Sequence, residues 1–278
     1  MCAVPLNAEQ SLGARIAAAA RQAAGDQPAV HVRIGLNYTA VLLADGSCGV
    51  AMTNPGGPGA DAAGDCCSAA PRLRPLGGRP AAQLLELLES PLVVERAVGL
   101  ACANALLNRP GSRDRAGDAL ELIDLRPQDR VGMVGCFWPM LDALRGRVSR
   151  LQIFEQIAEP DGDLLPARQA PEMLPQCQVA LITATTIVNG TLEDLLRACS
   201  GCRQVVLLGA STPLAPRAFA GTPVSHLCGV QVTDAAQVLT IVSEGDGMRR
   251  FKGHVKKVCV AIAGDEPTQR GPNHDSKR

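Results

Sequence analysis

Aromatic side chains are nearly missing from this chain. One Trp, one Tyr and four Phe make up 2% of 278 residues. Any core must therefore be packed with Leu, Val, Ala and Ile, and a hydrophobic content of 46% supplies enough of them. Lysine is scarce as well: four of the 27 basic residues are Lys and the rest are Arg. The arginines are scattered and the formal net charge is zero, which argues against a nucleic-acid or other polyanion partner. No apolar run is long enough to span a bilayer, so no membrane partner is expected. No basic, apolar, small-residue leader opens the chain. With an odd count of 11 Cys, this points to a reduced, cytoplasmic protein whose thiols are mainly free. Most Cys, including Cys102, Cys177, Cys228 and Cys259, sit in apolar runs and read as small buried hydrophobes.

Several chemical signatures are also absent. The turn at Gly132-Met133-Val134-Gly135 is not G-x-G-x-x-G, so the dinucleotide fingerprint is missing. The four His (31, 226, 254 and 274) are isolated, and no Ser/His/Asp or Cys/His set can be assembled. Cys199 and Cys202 form a single C-x-x-C without a second half, at a helix end where it is a redox pair or nothing. Asp61, Asp65, Cys66 and Cys67 in a Gly/Pro-rich loop are further metal-ligand candidates, but the spacing argues against a dedicated zinc site.

What is present centres on Val179–Ser211. Val179–Ile182 is a short, β-branched apolar run, the mark of a strand buried on both faces. It ends in Thr183, Thr185 and Thr186, followed by the turn pair Asn189-Gly190. Thr191 reads as an N-cap, with Asp194 completing a capping box. A second buried strand, Gln204–Leu208, breaks at Gly209 into Ser211-Thr212-Pro213, where Thr212 is expected to cap another helix. This is the parallel α/β unit, whose ligands sit beyond the carboxyl ends of the strands. Acids in the turn after Thr191 disfavour phosphate there, which leaves the Ser211-Thr212 turn as the better anion site.

The remaining chain reads in order. Residues 8–24 form a helix. Val30–Ile34, Tyr38–Leu43 and Ser47–Met52 form an antiparallel meander with a hairpin turn at Asp45-Gly46. Residues 54–79 are loop, and helices follow at 81–89 and 91–107. Domains are expected at 1–110 and 130–263, with a linker at 111–129 and a disordered tail at 264–278. Strands at 131–134 and 151–154 open the second domain, with a helix near 139–145 and a polar loop at 161–175 that has room for a turn of helix. A helix at 233–242 should pack on its sheet.

These pieces resemble a known family. V-G-x-F-x-P at Val134–Pro139, Glu155 after a strand, T-A-T-T-I-V-N-G-T-L at Thr183–Leu192 and G-A-S-T-P at Gly209–Pro213 are similar to DUF364, the family labelled heavy-metal chelation. I-G-L-N-Y-T-A-V at Ile34–Val41 and G-L-A-C-A-N-A-L at Gly99–Leu106 resemble its partner domain, DUF4213. Ala210 departs from the Pro expected there. The resemblance implies an α/β fold: an enolase-N-terminal-like α+β domain, then a Rossmann-like parallel-sheet domain, with a site between them. It also implies a small polar metabolite or metal chelate as partner, and heavy-metal chelation or the condensation or hydrolysis of pterin-, flavin- or siderophore-like chelators. It specifies no cofactor, and a homo-oligomer is compatible with it. Glu155 and Asn189 are the catalytic candidates, Glu155 as a base or hydroxyl holder. Expected ligand contacts are Thr39, Asn104, Gly135, Phe137, Thr183, Thr185, Thr186, Asn189, Thr191, Gly209, Ser211 and Thr212. The alternative is a non-catalytic metal-delivery protein using Cys66, Cys67, Cys199 and Cys202.

Overall fold

The structure, a computed structural model, describes residues 10–53, 74–111, 115–117 and 119–262. The Gly/Pro-rich stretch with Asp61, Asp65, Cys66 and Cys67, and the tail at 264–278, lie outside the described residues.

The chain opens with α1 (Leu12–Ala23), then β1 (Ala29–Ile34), β2 (Tyr38–Leu43) and β3 (Cys48–Met52). These strands form the expected antiparallel sheet, in the order β1-β2-β3. Next come α2 (Ala81–Leu85), a 3-10 turn at Glu86–Glu89 and α3 (Val93–Leu107). The α3 helix lies directly on β3. A Cβ added at Gly49 would stand 2.1 Å from the Ala105 nitrogen and 2.3 Å from the Ala101 oxygen, so only glycine permits this approach. Leu92, before α3, offers no side-chain cap.

A second, larger sheet follows. Its strands are β4 (Arg115–Ala116), β5 (Arg130–Val134), β6 (Arg150–Glu155), β7 (Leu164–Pro166), β8 (Val179–Thr183), β9 (Gln204–Leu208), β10 (His226–Val232) and β11 (Val255–Ala261). Between them lie α4 (Trp138–Arg145), α5 (Ala170–Met173), α6 (Thr185–Val188), α7 (Leu192–Ala198) and α8 (Ala235–Ser243). The order is β4-β11-β10-β9-β8-β5-β6-β7. Neighbours from β10 across to β7 are parallel, whereas β11 runs antiparallel to both its neighbours, β10 and β4. The α/β fold class is as expected: a largely parallel sheet plus a separate small antiparallel one.

Burial alternates with the strand period. Ala180 and Ile182 of β8, and Val205 and Leu207 of β9, face one side. Val179, Leu181, Val206 and Leu208 face the other, packed against Met140, Leu141 and Leu144 of α4. The first face shares one continuous core with Ile16 and Ala20 of α1 and Val98, Ala101 and Cys102 of α3. The two halves of the chain are thus joined through buried apolar surface.

Several local expectations are corrected. The stretch 111–129 contributes the edge strand β4, paired with β11. The polar loop at 161–175 holds its turn of helix, α5, but also contains β7, paired with β6. The α8 helix packs chiefly on the small sheet: Val238, Ile241 and Val242 join Tyr38, Ala40 and Val50, in a cluster that reaches the large sheet at Val230 of β10. Those alternating apolar residues of β2 and β3 need a cover on the face away from α3. No helix starts after Thr212. Pro216 forces Ala215 out of the helical region, to φ −123° and ψ 76°, and only a 3-10 turn forms at Pro216–Phe219. No helix among the described residues is long and apolar enough to cross a membrane.

Candidate functional site

The large sheet reverses its winding at β5. The chain leaves β5 for β6 and β7 on one side, then returns to β8 on the other. Loops leaving the carboxyl ends of β5 and β8 therefore diverge and open a crevice, the usual ligand position in such sheets. A cavity of about 1040 Å³ lies there. Val134-Gly135-Cys136-Phe137-Trp138 from the end of β5, Phe154-Glu155-Gln156 at the end of β6, Thr183, Thr185, Thr186, Asn189 and Thr191 from the end of β8 and Leu208 to Ser211 from the end of β9 line it. Tyr38 and Met52 of the small sheet and Met248-Arg249 after α8 close it.

Gly135 makes the first turn. Its φ is +82°, and a Cβ there would lie 2.8 Å from Thr183 Cγ2, so a side chain would be strained and would push the β5 and β8 loops apart. Glu155 holds this turn, because its Oε2 accepts the Cys136 N–H at 2.9 Å. Its Oε1 accepts the Gln156 N–H at 2.8 Å. Burial, and then the Glu155 carboxylate, push the Cys136 thiol up, partly offset by Arg145. Cys136 is therefore a protonated thiol at neutral pH rather than an activated nucleophile.

The second turn is tighter than the expected loop. Thr185–Val188 is a short helix, α6. Thr183 and Thr185 hydroxyls meet at 3.0 Å, and Thr186 Oγ1 donates to the Thr183 carbonyl. Thr191 does not cap α7. Its backbone is helical, at φ −98° and ψ −8°, where an N-cap needs extended geometry. Its N–H and hydroxyl both donate to Asn189 Oδ1, at 3.1 and 2.7 Å. The expected partner acid serves elsewhere too: Asp194 pairs with Arg197, while Glu193 Oε1 accepts the Leu12 N–H at the start of α1.

The cavity gathers Gly135, Phe137, Glu155, Thr183, Thr185, Thr186, Asn189, Thr191, Gly209 and Ser211 from the expected set, and leaves out Thr39, Asn104 and Thr212. Thr39 is fully buried against the Thr53 hydroxyl at 3.0 Å. Asn104 Nδ2 donates to the Val50 and Ser211 carbonyls, at 2.8 and 3.1 Å, and so ties the two sheets together. Thr212 is fully buried, and without a helix behind it the Ser211-Thr212 turn loses its expected anion-binding character. Ser211 does two jobs: it lines the cavity, and its Oγ accepts the Met52 N–H at 2.9 Å.

Trp138 was not among the sequence candidates. It lines the cavity at 66% exposure, the largest exposed apolar side chain among the described residues. The available signal was the placement of the only Trp beside Phe137, just after a strand end. Tyr38 sits opposite in origin, on β2, with its ring edge-on to Phe251 at 5.1 Å.

Burial pushes the Tyr38 phenol from 10.0 up to about 12. An acid whose pKa is raised on folding adds stability that is full below its unfolded pKa and is lost as pH climbs through the folded one. Stability should therefore decline between pH 10 and about 12. Because Tyr38 is the single Tyr, phenolate absorbance reports it alone. We expect a midpoint near 12, with the alkaline loss reduced in Tyr38→Phe; a midpoint near 10 would show an accessible ring.

No group of three or more His, Cys, Asp or Glu among the described residues could hold a metal ion. The carboxylates and thiols lining the cavity are Glu155, Asp194, Cys136, Cys228 and Cys259. Glu155 and Asp194 are engaged in the contacts above, Cys228 and Cys259 face each other across β10 and β11, and no three of the five come together as a ligand set. These donors do not fit a protein-borne heavy metal.

Comparison with known proteins follows the same division. A family model, DUF364, matches residues 118–261, and a second, DUF4213, matches 16–107; both are described as "Putative heavy-metal chelation". An uncharacterized protein of Methanocaldococcus jannaschii is 25% identical over 186 residues, covering 65% of this chain and 71% of its own. A DUF364 protein of unknown function from Pyrococcus horikoshii superposes with a TM-score of 0.77 at 25% identity, over 91% of this chain and all of the other. A DUF364 protein of unknown function from Desulfitobacterium hafniense gives 0.76 at 23% identity, over 92% and all of the other, a likeness of fold. With DUF364 matched over more than half its length, the chain belongs to the DUF364 family.

Proposed function

We propose that this protein binds a small polar metabolite or metal chelate in the cavity at the β5/β8 switch point. The observation that carries this reading is the cavity itself. It is large enough for a cofactor-sized molecule, sits where open parallel sheets take ligands, and sets a few polar groups in a mainly apolar wall. Any heavy metal, in keeping with the family description, would arrive coordinated by the ligand, since the cavity's own donors do not form a metal set. In this picture the second sheet is of Rossmann type, and the small α+β unit closes the site with Tyr38 and Met52.

Binding takes precedence over catalysis in this reading. Both Glu155 oxygens already hold backbone N–H groups, which leaves them lone pairs for a ligand hydroxyl but makes turn support their first task. Condensation or hydrolysis of a chelator would be built on the same contacts. The metal-delivery alternative is weaker, because Cys199 and Cys202 precede β9 and so lie at the opposite end of the sheet from the cavity.

Trp138 is a built-in reporter, being the one Trp and on the cavity wall. Adding back the small-molecule fraction released by heating the purified protein should shift and saturate its emission. A released fraction that binds without changing Trp138 emission, or no binding by any fraction, would contradict this location.

A further inference from the structure

The cavity makes no use of the C-x-x-C motif, which lies at the amino edge of the sheet. There α7 ends at Ala198, and the chain turns through Cys199-Ser200-Gly201-Cys202 into β9. The turn closes on itself, with the Cys202 N–H donating to the Cys199 carbonyl at 2.9 Å. Such a turn holds its first and fourth Cα within about 7 Å, and a disulfide needs about 4.4–6.8 Å. Cys199 is fully buried and Cys202 half-buried, while Ser200 and Gly201 are exposed. A Cβ placed on Gly201 would meet nothing within 4 Å, so the outer side of the turn is open to an approaching molecule. A third thiol, Cys177, stands close enough to influence both charges. It is committed elsewhere, however, with its Sγ on Gln152 Oε1 and the Met173 carbonyl, each at 3.7 Å.

We propose that Cys199 and Cys202 form a dithiol–disulfide exchange site whose substrates are low-molecular-weight disulfides. Cys202 is the attacking thiol. It is the more exposed of the two, its Sγ makes one long contact, 3.8 Å to the Leu174 carbonyl, and the neighbouring Cys199 thiol holds its pKa down while Cys199 itself is pushed up. The Cys202 thiolate attacks one sulfur of R–S–S–R, the S–S bond breaks, and one RS⁻ leaves to take up a proton. Cys199 then gives up its proton and attacks the Cys202 sulfur, and the second RS⁻ leaves as RSH. Two protein thiols are oxidised and one external disulfide is reduced to two thiols. Because Cys199 caps the carboxyl end of α7, the helix dipole does not stabilise its thiolate, and first attack by Cys199 on the external disulfide is disfavoured.

Trypsin isolates the pair, since Arg197 and Arg203 flank the peptide Ala198–Arg203. The full chain, incubated with excess oxidised glutathione, alkylated and digested, should show this peptide lighter by two hydrogens and unalkylated. The change should reverse completely with a dithiol reductant. Cys199→Ser should accumulate a glutathione adduct on Cys202, and Cys202→Ser should accumulate little or none on Cys199. Cys177→Ser should leave the disulfide intact, which controls for general loosening of the fold. A peptide that stays fully alkylatable, a Cys177–Cys202 bridge in place of the Cys199–Cys202 one, or an adduct forming first on Cys199 would each overturn the assignment.

Discussion

Asn108→Ala should lower the unfolding free energy by about 3–5 kcal/mol, among the largest effects of any single polar substitution in this chain. Asn108 is the residue on which α3 ends. It is 7% exposed, and its side chain makes three hydrogen bonds far along the chain. Nδ2 donates to the Thr212 carbonyl at 2.9 Å and the Val230 carbonyl at 3.1 Å, and Oδ1 accepts the Leu214 N–H at 2.8 Å. Alanine would leave two carbonyls and one N–H unpaired in the interior, each costing about 1–3 kcal/mol before relaxation. The neighbouring Asn104→Ala removes two such bonds and should cost about 2–3 kcal/mol. Urea unfolding followed by far-ultraviolet circular dichroism reads both. A loss below about 1 kcal/mol for Asn108→Ala would mean that water replaces the amide freely.

Asn189→Asp should have the opposite profile: stability within about 1 kcal/mol of the native chain, and ligand affinity reduced at least about tenfold. Asn189 Oδ1 pins the turn by accepting the Thr191 N–H and hydroxyl, and aspartate retains that acceptor. The amide nitrogen is different. It has no hydrogen-bond partner among the described residues, and Asn189 lines the cavity. Aspartate removes this donor and adds a negative charge to a cavity that already holds Glu155 and Asp194. Equilibrium dialysis of the recovered small molecule against both proteins, beside their urea curves, separates the two roles. Equal affinity with lowered stability would make Asn189 a turn residue alone. Ser211→Ala is a poorer test, because the same hydroxyl accepts the Met52 N–H and its removal disturbs both functions.

The parallel strands were legible because burial on both faces leaves an unmistakable mark. β5, β8 and β9 are short apolar runs that stop abruptly at Gly or Thr, and the stop positions are the cavity wall. β10 and β11 were not legible. His226, Gly229 and Gln231 interrupt the first, and Lys256-Lys257 interrupt the second, which lies beyond the parallel strands and meets only the two-residue β4 on its far side. The absent helix after Thr212 has a tertiary cause as well as Pro216: Asn108, 106 residues away, takes the Leu214 N–H. The same distance problem misplaced Asn104, Thr39 and Thr212. A polar residue in an apolar segment announces that a partner exists. It does not say whether that partner is a ligand or a carbonyl on the other sheet. Thr191 was misread for a related reason: its spacing to Asp194 matched a capping box, yet Asn189, two residues earlier, was the nearer acceptor.

The central claim is that the switch-point cavity holds a small molecule and that any heavy metal comes with it. Native mass spectrometry of the full chain, purified without chelators and desalted gently, tests this most directly when paired with elemental analysis of the same sample. The account predicts an added organic mass at one per chain, any metal present only in proportion to it, and both reduced together in Asn189→Asp. A metal ion retained without an organic partner, at equal occupancy in the native chain and in Asn189→Asp, would contradict it.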